Sequence, residues 1–444
     1  MTDKPTLPGA MPNAYVPGQG HLPPEDQALV SRRQQALGPA YRLFYETPVH
    51  LVRGEGVWLY DKDGQAYLDT YNNVASVGHC HPRVVEAMTR QAGLFASHTR
   101  YLHEGILSYA ERLLSYFPQE LAHVMFTCTG SEANDLAFRI ARAHTGGTGF
   151  IVTENAYHGV THAIAGMSPS LGVGVPLGEH IRTIPAPDPL RMTGDLAQSF
   201  AAEVQKAIDD LTRHGIKPAA LIVDTVFSSD GVYADPPGFL AAAVQAIHRA
   251  GGLFIADEVQ PGFGRTGETM WGFQRHGITP DMVSLGKPMG NGYPIAGLVM
   301  RPEVIAAFGA KARYFNTFGG NAVAAATANA VLDVIEDEGL MQNAATVGAL
   351  FRDGLADLAT RHSALGPIRA AGLFLGAEIV RNGDPLAADA TRTARIVNHL
   401  REGGVLISAT GPRANVLKIR PPLVFSADNV AFFLDRLEAA LQAG

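Results

Sequence analysis

Between Met282 and Met300 the only charged residue is Lys287, set among Gly, Pro and apolar side chains. Burying an ammonium is costly, so such a lysine loses basicity and becomes a nucleophilic amine able to form a Schiff base with a carbonyl. The other reading is a lysine whose head escapes to solvent along its stem. A second feature is the acid that closes the apolar run Phe254-Ile255-Ala256-Asp257, followed by Glu258, Val259, Gln260 and the Gly-rich stretch to Gly267. At such a low-dielectric strand end a carboxylate needs a cationic or proton-donating partner, such as a protonated heterocyclic nitrogen. Asp257 also suits a turn that caps the loop. The third feature runs from Thr127 to Asn134 (TCTGSEAN). A strand there passes through a Gly turn into a helix, and Thr129-x-x-Glu132 forms a capping box. The N–H groups of Gly130, Ser131 and Glu132, with the helix dipole, would make an anion site for a phosphate, or simply an ordinary cap.

Taken together, an anion cradle, an acid for a ring nitrogen and an isolated lysine match the phosphate, pyridinium nitrogen and aldehyde of pyridoxal 5′-phosphate. Tyr157, at the end of the run FIVTENAY, would offer an aromatic face to the ring, or pack in the core. Two further groupings suggest metal ligands: His79-Cys80-His81 and His158-x-x-x-His162. Gly159 stands where a zinc-protease motif needs Glu, and on a strand His79 and Cys80 would face opposite ways, so no metal site is expected.

The elements that must position these residues follow from apolar rhythm. Short apolar runs at 123–127, 150–152, 220–223, 253–256 and 282–285 alternate with amphipathic stretches such as 131–144 and 238–250. This predicts an α/β fold with a mostly parallel sheet covered by helices, where ligands collect beyond the carboxyl ends of the strands. The expected division is a Pro-rich extended arm to about residue 28 and a small antiparallel unit within 1–75, a large cofactor-binding domain over 76–320, and a smaller α+β domain over 321–444. Residues 49–69 read as two β-rich runs around the turn Asp61–Gly64, leaving Asp69 at a strand end.

The chain has 444 residues, 35 Lys and Arg against 42 Asp and Glu, and 17% charged positions. A net charge of −7 without a basic block speaks against nucleic-acid and membrane-surface partners, leaving small molecules. The low charged content fits a buried subunit interface. Two cysteines make no disulfide framework, and no apolar run is long enough for a membrane span or a signal segment. The expected location is cytoplasmic.

The ordered segments GSEAND, ENAYHG, IADEVQPGFGRTG, SLGKPMGNGYP and FNTFGGN resemble the class III aminotransferases, fold-type-I pyridoxal-phosphate enzymes, from about Leu51 to the C-terminus. LDTYNNVASVGHCHP and VLISATGPRANVLKIRPPLVF are similar to the branch holding ethanolamine-phosphate and 5-phosphohydroxylysine phospho-lyases and alanine–glyoxylate aminotransferase 2. The resemblance implies Lys287 as the Schiff-base lysine, Asp257 at the ring nitrogen, Gln260 at the ring hydroxyl and Tyr157 stacked on the ring. It also implies Gly130 and Ser131 at the cofactor phosphate, with Thr317 reaching the phosphate of a neighbouring subunit. A homodimer with shared sites is implied in turn, either alone or paired into a tetramer.

The reaction is harder to read. Where many members of the family carry Glu-x-x-Gln-Gly, this chain has Asp224-Thr-Val-Phe227-Ser. The position of the family's carboxylate-reading arginine falls on Lys418, with Arg420 two residues on and on the same strand face. Arg420, with its bidentate fork, is the preferred substrate anchor; an interface salt bridge is the other reading. Lys418, Arg413 and Arg100 complete the cations available to a substrate phosphate. Two reactions share the first half of the chemistry. The expectation is an aminotransferase moving an amino group from an amine or amino acid to a keto acid or aldehyde through a pyridoxamine phosphate intermediate. The alternative is a phospho-lyase that eliminates phosphate and ammonia from a phosphorylated amino alcohol such as O-phosphoethanolamine.

Overall fold

The computed structural model describes residue 11, residues 13–18 and residues 22–443. Its strands are β1 Leu51–Glu55, β2 Trp58–Asp61, β3 Ala66–Asp69, β4 His123–Thr127, β5 Gly149–Thr153, β6 Ile181–Ile184, β7 Pro218–Asp224, β8 Leu253–Asp257, β9 Met282–Leu285, β10 Ala296–Met300, β11 Leu365–Ala371, β12 Phe374–Ile379, β13 Val405–Leu406, β14 Ser408–Thr410 and β15 Val416–Ile419. The predicted apolar runs are strands of a seven-stranded sheet, in the order β4-β10-β9-β8-β7-β5-β6. Only β10 runs against its neighbours; the contacts β9-β8-β7-β5-β6 are all parallel.

Strands β5, β8 and β9 are buried along their whole length, as helix-covered parallel strands must be, and so is the antiparallel β10 beside them. β4 departs from that pattern: His123 is exposed and only Thr127 is fully buried, because β4 is the edge of this sheet. Since β10 is antiparallel, its first residue Ala296 pairs with Thr127, the last residue of β4. The carboxyl ends of β4, β7, β8 and β9 and the entry to β10 therefore share one rim.

Two smaller four-stranded sheets complete the fold, β1-β2-β3-β13 and β11-β12-β15-β14. The predicted turn at Asp61–Gly64 is formed by Asp61, whose Oδ1 accepts from the N–H groups of Asp63 and Gln65, with Gly64 at φ +85°. The first run does not stay whole, however. Gly56 at φ +57° breaks it into β1 and β2, so three strands stand where two were expected. Val405–Leu406 then joins β3 in parallel, tying the C-terminal part to the N-terminal unit.

The extended-arm reading for residues 1–28 falls largely outside the described residues and runs too far where it can be compared. Pro24 opens a helix to Leu37, with Pro at the first turn beside Glu25 and Asp26, a start that suits both the missing N–H and the helix dipole. Further along, Asn321 caps Ala322–Asp337 through Val323 and Ala324, and Asp389 caps Ala390–Glu402 through Arg392. Among the described residues no helix is long and apolar enough to cross a membrane.

Candidate active site

The helix Gly130–Thr145 starts beyond β4 with the predicted capping box: Thr129 Oγ1 accepts from the N–H of Glu132, and Glu132 reaches back to the N–H groups of Thr129 and Cys128. This corrects the expected three-donor cradle, because the cap occupies the Glu132 N–H. The N–H groups of Gly130 and Ser131, in the first turn, have no intrahelical acceptor and remain available to an anion. The backbone comes close enough to form such a cradle only where side chains are absent. A Cβ on Gly130 would meet Val259, and one on Gly159, at φ +136°, would collide with Ser131. Ser131 Oγ in turn accepts from the N–H of Val160 at 3.1 Å.

Asp257 ends β8 almost wholly buried. Its Oδ2 accepts from His158 Nδ1 at 2.7 Å and Asn134 Nδ2 at 2.9 Å, and its Oδ1 accepts from the N–H of Val259. Burial alone would raise the pKa of this carboxyl. The hydrogen bond and charge of His158, then the charge of Lys287, outweigh burial and hold it below the ordinary carboxylate value. Asp257 is therefore built to stay ionised. His158 and Asn134 were not singled out in the sequence as its partners. The signal was present, since a buried acid requires donors, but they arrive from the ends of two other elements. A His158→Ala variant is expected to lose one charge-assisted hydrogen bond to Asp257 and to lower kcat roughly 10- to 100-fold with little change in KM, as steady-state kinetics would read.

Lys287 follows β9 at φ +34°, a left-handed backbone held between Gly286 and Pro288. Its amine is pushed down to about 8 by burial first and by the charge of Arg420 second, with Asp257 and Asp224 opposing. At neutral pH a usable fraction of this amine is thus unprotonated.

These groups line one cleft of about 330 Å³, together with Tyr157, Asp224 and Gln260. Of the residues named from the sequence, Gly130, Ser131, Tyr157, Asp257, Gln260 and Lys287 meet there. Tyr157 is only partly covered, as a side wall rather than a core residue would be. Arg420 and Lys418 stand behind the cleft wall: Arg420 Nη1 donates to Gln260 Oε1 and, at 3.2 Å, to Asn73 Oδ1. Arg420 lies one residue past β15, its N–H bonded to the carbonyl of Thr70. Lys418 is buried, its pKa driven well down by burial and then by Arg420, while Asp224 pulls the other way.

Other candidates are placed elsewhere. Arg413 reaches Asp188 in a separate cleft, and Arg100 lies over the Phe315 ring. Thr317 is exposed on a loop outside the cleft of its own chain. Phe227 is buried against Phe200 and Phe239. His79 and Cys80 are not on a strand: His79 makes a single bridge to Gly56 and bonds Asp69, and Cys80 sits in a turn. Among the described residues no group of three or more His, Cys, Asp or Glu is placed to hold a metal ion.

Residues 43–441 match the family model described as Aminotransferase class-III. Over 420 residues the chain is 38% identical to an alanine–glyoxylate aminotransferase 2-like protein of Drosophila melanogaster, covering 91% of this chain and 85% of that one. It is 34% identical to ethanolamine-phosphate phospho-lyase homolog 1 of Caenorhabditis elegans, covering 94% and 93% of the two chains. Among solved structures, a phospholyase from Arthrobacter in complex with phosphoethanolamine is similar with a TM-score of 0.91 and 42% identity, over 94% of this chain and 100% of that one.

Proposed function

Because the chain belongs to the class III aminotransferases, the fold-type-I enzymes that use pyridoxal 5′-phosphate, we propose that it acts as a phospho-lyase on a small phosphorylated amino alcohol of the O-phosphoethanolamine type. The observation that carries this reading is the pair of buried cations at the cleft wall. Arg420 is 8% exposed and hydrogen-bonded only to neutral amides, its Nε has no partner, and Lys418 is 5% exposed. Neither forms an ion pair among the described residues. Two buried cations with no acid in ion-pair contact favour a dianion, and a phosphate monoester supplies one where a carboxylate supplies a single charge. The similarity to a phospholyase solved with phosphoethanolamine supports the same choice.

The bound cofactor supplies an electron sink for the pair left when a C–H bond beside the substrate nitrogen breaks. On this reading the N–H groups of Gly130 and Ser131 hold the cofactor phosphate and Tyr157 covers one face of the ring. Asp257 keeps a proton at the ring nitrogen, and Gln260 donates to the ring hydroxyl oxygen. Lys287 would hold the aldehyde end of the cofactor, and its amine, when free, would take the proton from the substrate carbon. Arg420 and Lys418 hold the substrate phosphate and offset the charge that grows as its C–O bond breaks. With water, O-phosphoethanolamine then yields acetaldehyde, ammonia and inorganic phosphate.

The test is incubation of purified enzyme with O-phosphoethanolamine and no keto acid. Stoichiometric phosphate and ammonia are expected; amino-group transfer from alanine to glyoxylate with no phosphate release would overturn the reading. Transamination is the second reading, supported by the aminotransferase relatives and by the ability of Arg420 to hold a carboxylate. An Arg420→Gln variant should raise KM for the phosphorylated substrate roughly 100-fold or more, as initial-rate kinetics would show.

The proposed assembly is a homodimer in which Thr317 of each chain serves the other's cofactor phosphate. The apolar side chains of Leu102, 99% exposed, and Phe318, 69% exposed, suit a buried interface. A monomer by light scattering at micromolar concentration would contradict it.

A further inference from the structure

The amide of Gln260 joins the cleft to the buried cations. Its Oε1 accepts from Arg420 Nη1, and its backbone carbonyl accepts from Asn73 Nδ2 at 3.1 Å. Asn73 Oδ1 accepts from the same Nη1, so guanidinium, Asn73 and Gln260 form a closed set. The guanidinium lies 4.4 Å from the centroid of the Tyr71 ring, and the main chain of Arg420 is fixed by the bond to Thr70 at 2.8 Å. A guanidinium has only donors, whereas an amide has one donor end and one acceptor end. Chemistry alone therefore fixes the flip of Gln260: oxygen toward Arg420, NH2 away from it.

Resting on the cofactor and anion-anchor roles proposed above, we infer that Arg420 couples anion capture to the cofactor. It holds the Gln260 amide with its donor toward the ring hydroxyl, and a phosphate bound at the guanidinium weakens that hold. Arg420 Nε has no partner, so a phosphate can bind there without displacing Oε1; its charge offsets that of the guanidinium, which then polarises the Gln260 amide less. The less polarised amide stabilises negative charge on the ring oxygen less well. The proton on the adjacent Lys287–cofactor nitrogen is then held more tightly, and the bound substrate is presented with an activated linkage. Gln260 is thereby a positioning residue that acts through the ring hydroxyl, and Arg420 acts through Gln260. The charged groups acting on Lys287 are Arg420, Asp257, Asp224 and Lys418.

The test is a spectroscopic pH titration of the Lys287–cofactor linkage in the holoenzyme, with and without saturating inorganic phosphate. Phosphate should raise the midpoint of the wild-type protein by about one pH unit. Neutralising Arg420 through space would also raise it, so Gln260→Leu separates the two effects: Arg420 keeps its charge and affinity for phosphate, but no amide carries the signal. The phosphate-induced shift should fall below about a third of the wild-type value in that variant. Gln260→Met, also free of an amide, provides the same comparison should Leu fail to fold. An equal shift in variant and wild type, or no shift in wild type with phosphate bound or unbound, overturns the coupling. Phosphate release from O-phosphoethanolamine, measured on the same preparation, reports separately whether the lyase reading stands.

Discussion

Replacing Lys287 by Ala is expected to lower turnover by at least about 10⁴-fold, because in the proposed mechanism one amine both bonds the cofactor and moves the substrate proton. The fold should survive. Lys287 lies in a short turn after β9, and its side chain, apart from its stem, contributes a charge that burial disfavours. The stability consequence has a definite sign. The amine is lowered from 10.5 to about 8 in the folded chain, so between those values the unfolded chain holds more protons and stability rises with pH. In the cofactor-free protein, Lys287→Met should therefore be more stable than wild type below pH 8, by as much as about 3 kcal/mol. That advantage should fade as pH approaches 10.5. Urea unfolding at pH 7 and pH 10 measures it; a variant less stable at both would mean that Lys287 is not the strained cation described.

Asp257→Asn should cost about 10³-fold in kcat while cofactor remains bound through Gly130 and Ser131. The substitution keeps the volume, and a side-chain oxygen still accepts from His158 and Asn134. The remaining amide NH2, which replaces the oxygen that accepts from the Val259 N–H and gives up that bond, presents a donor to the ring nitrogen, so the ring would lose its proton and its capacity as an electron sink. In the wild type the depressed carboxyl remains ionised through the ordinary acid range. Its contribution to stability is present above the unfolded value of about 4 and is lost only as pH falls through the lower folded value. The variant should lack that acid-side dependence. Cofactor absorbance, kcat and thermal unfolding between pH 3 and 7 test the three consequences together.

Much of this site was legible because each part ends a short apolar run. A buried strand that terminates in Asp257, or in a lone Lys287 two residues on, is conspicuous in one dimension. The Thr129–Glu132 cap is local as well, and its spacing alone predicts the helix start. What escaped were contacts made by topology. His158 follows β5, Asn134 lies a turn into the helix after β4, and they reach Asp257 only because of the order β4-β10-β9-β8-β7-β5. The Gln260–Arg420–Asn73 set joins residues up to 347 positions apart, beyond any periodicity argument. Local signals failed in two places for opposite reasons. The helix Pro24–Leu37 buries no residue and so has no apolar stripe to detect. At Gly56 a left-handed residue split the first run, where Gly54, Glu55 and Gly56 interrupt its otherwise β-rich composition.

The most direct measurement is borohydride reduction of the purified holoenzyme followed by peptide mass mapping. A pyridoxyl phosphate adduct on the peptide carrying Lys287, and on no other lysine, is predicted. An unmodified Lys287, or an adduct on Lys418 in its place, would contradict the account at its base.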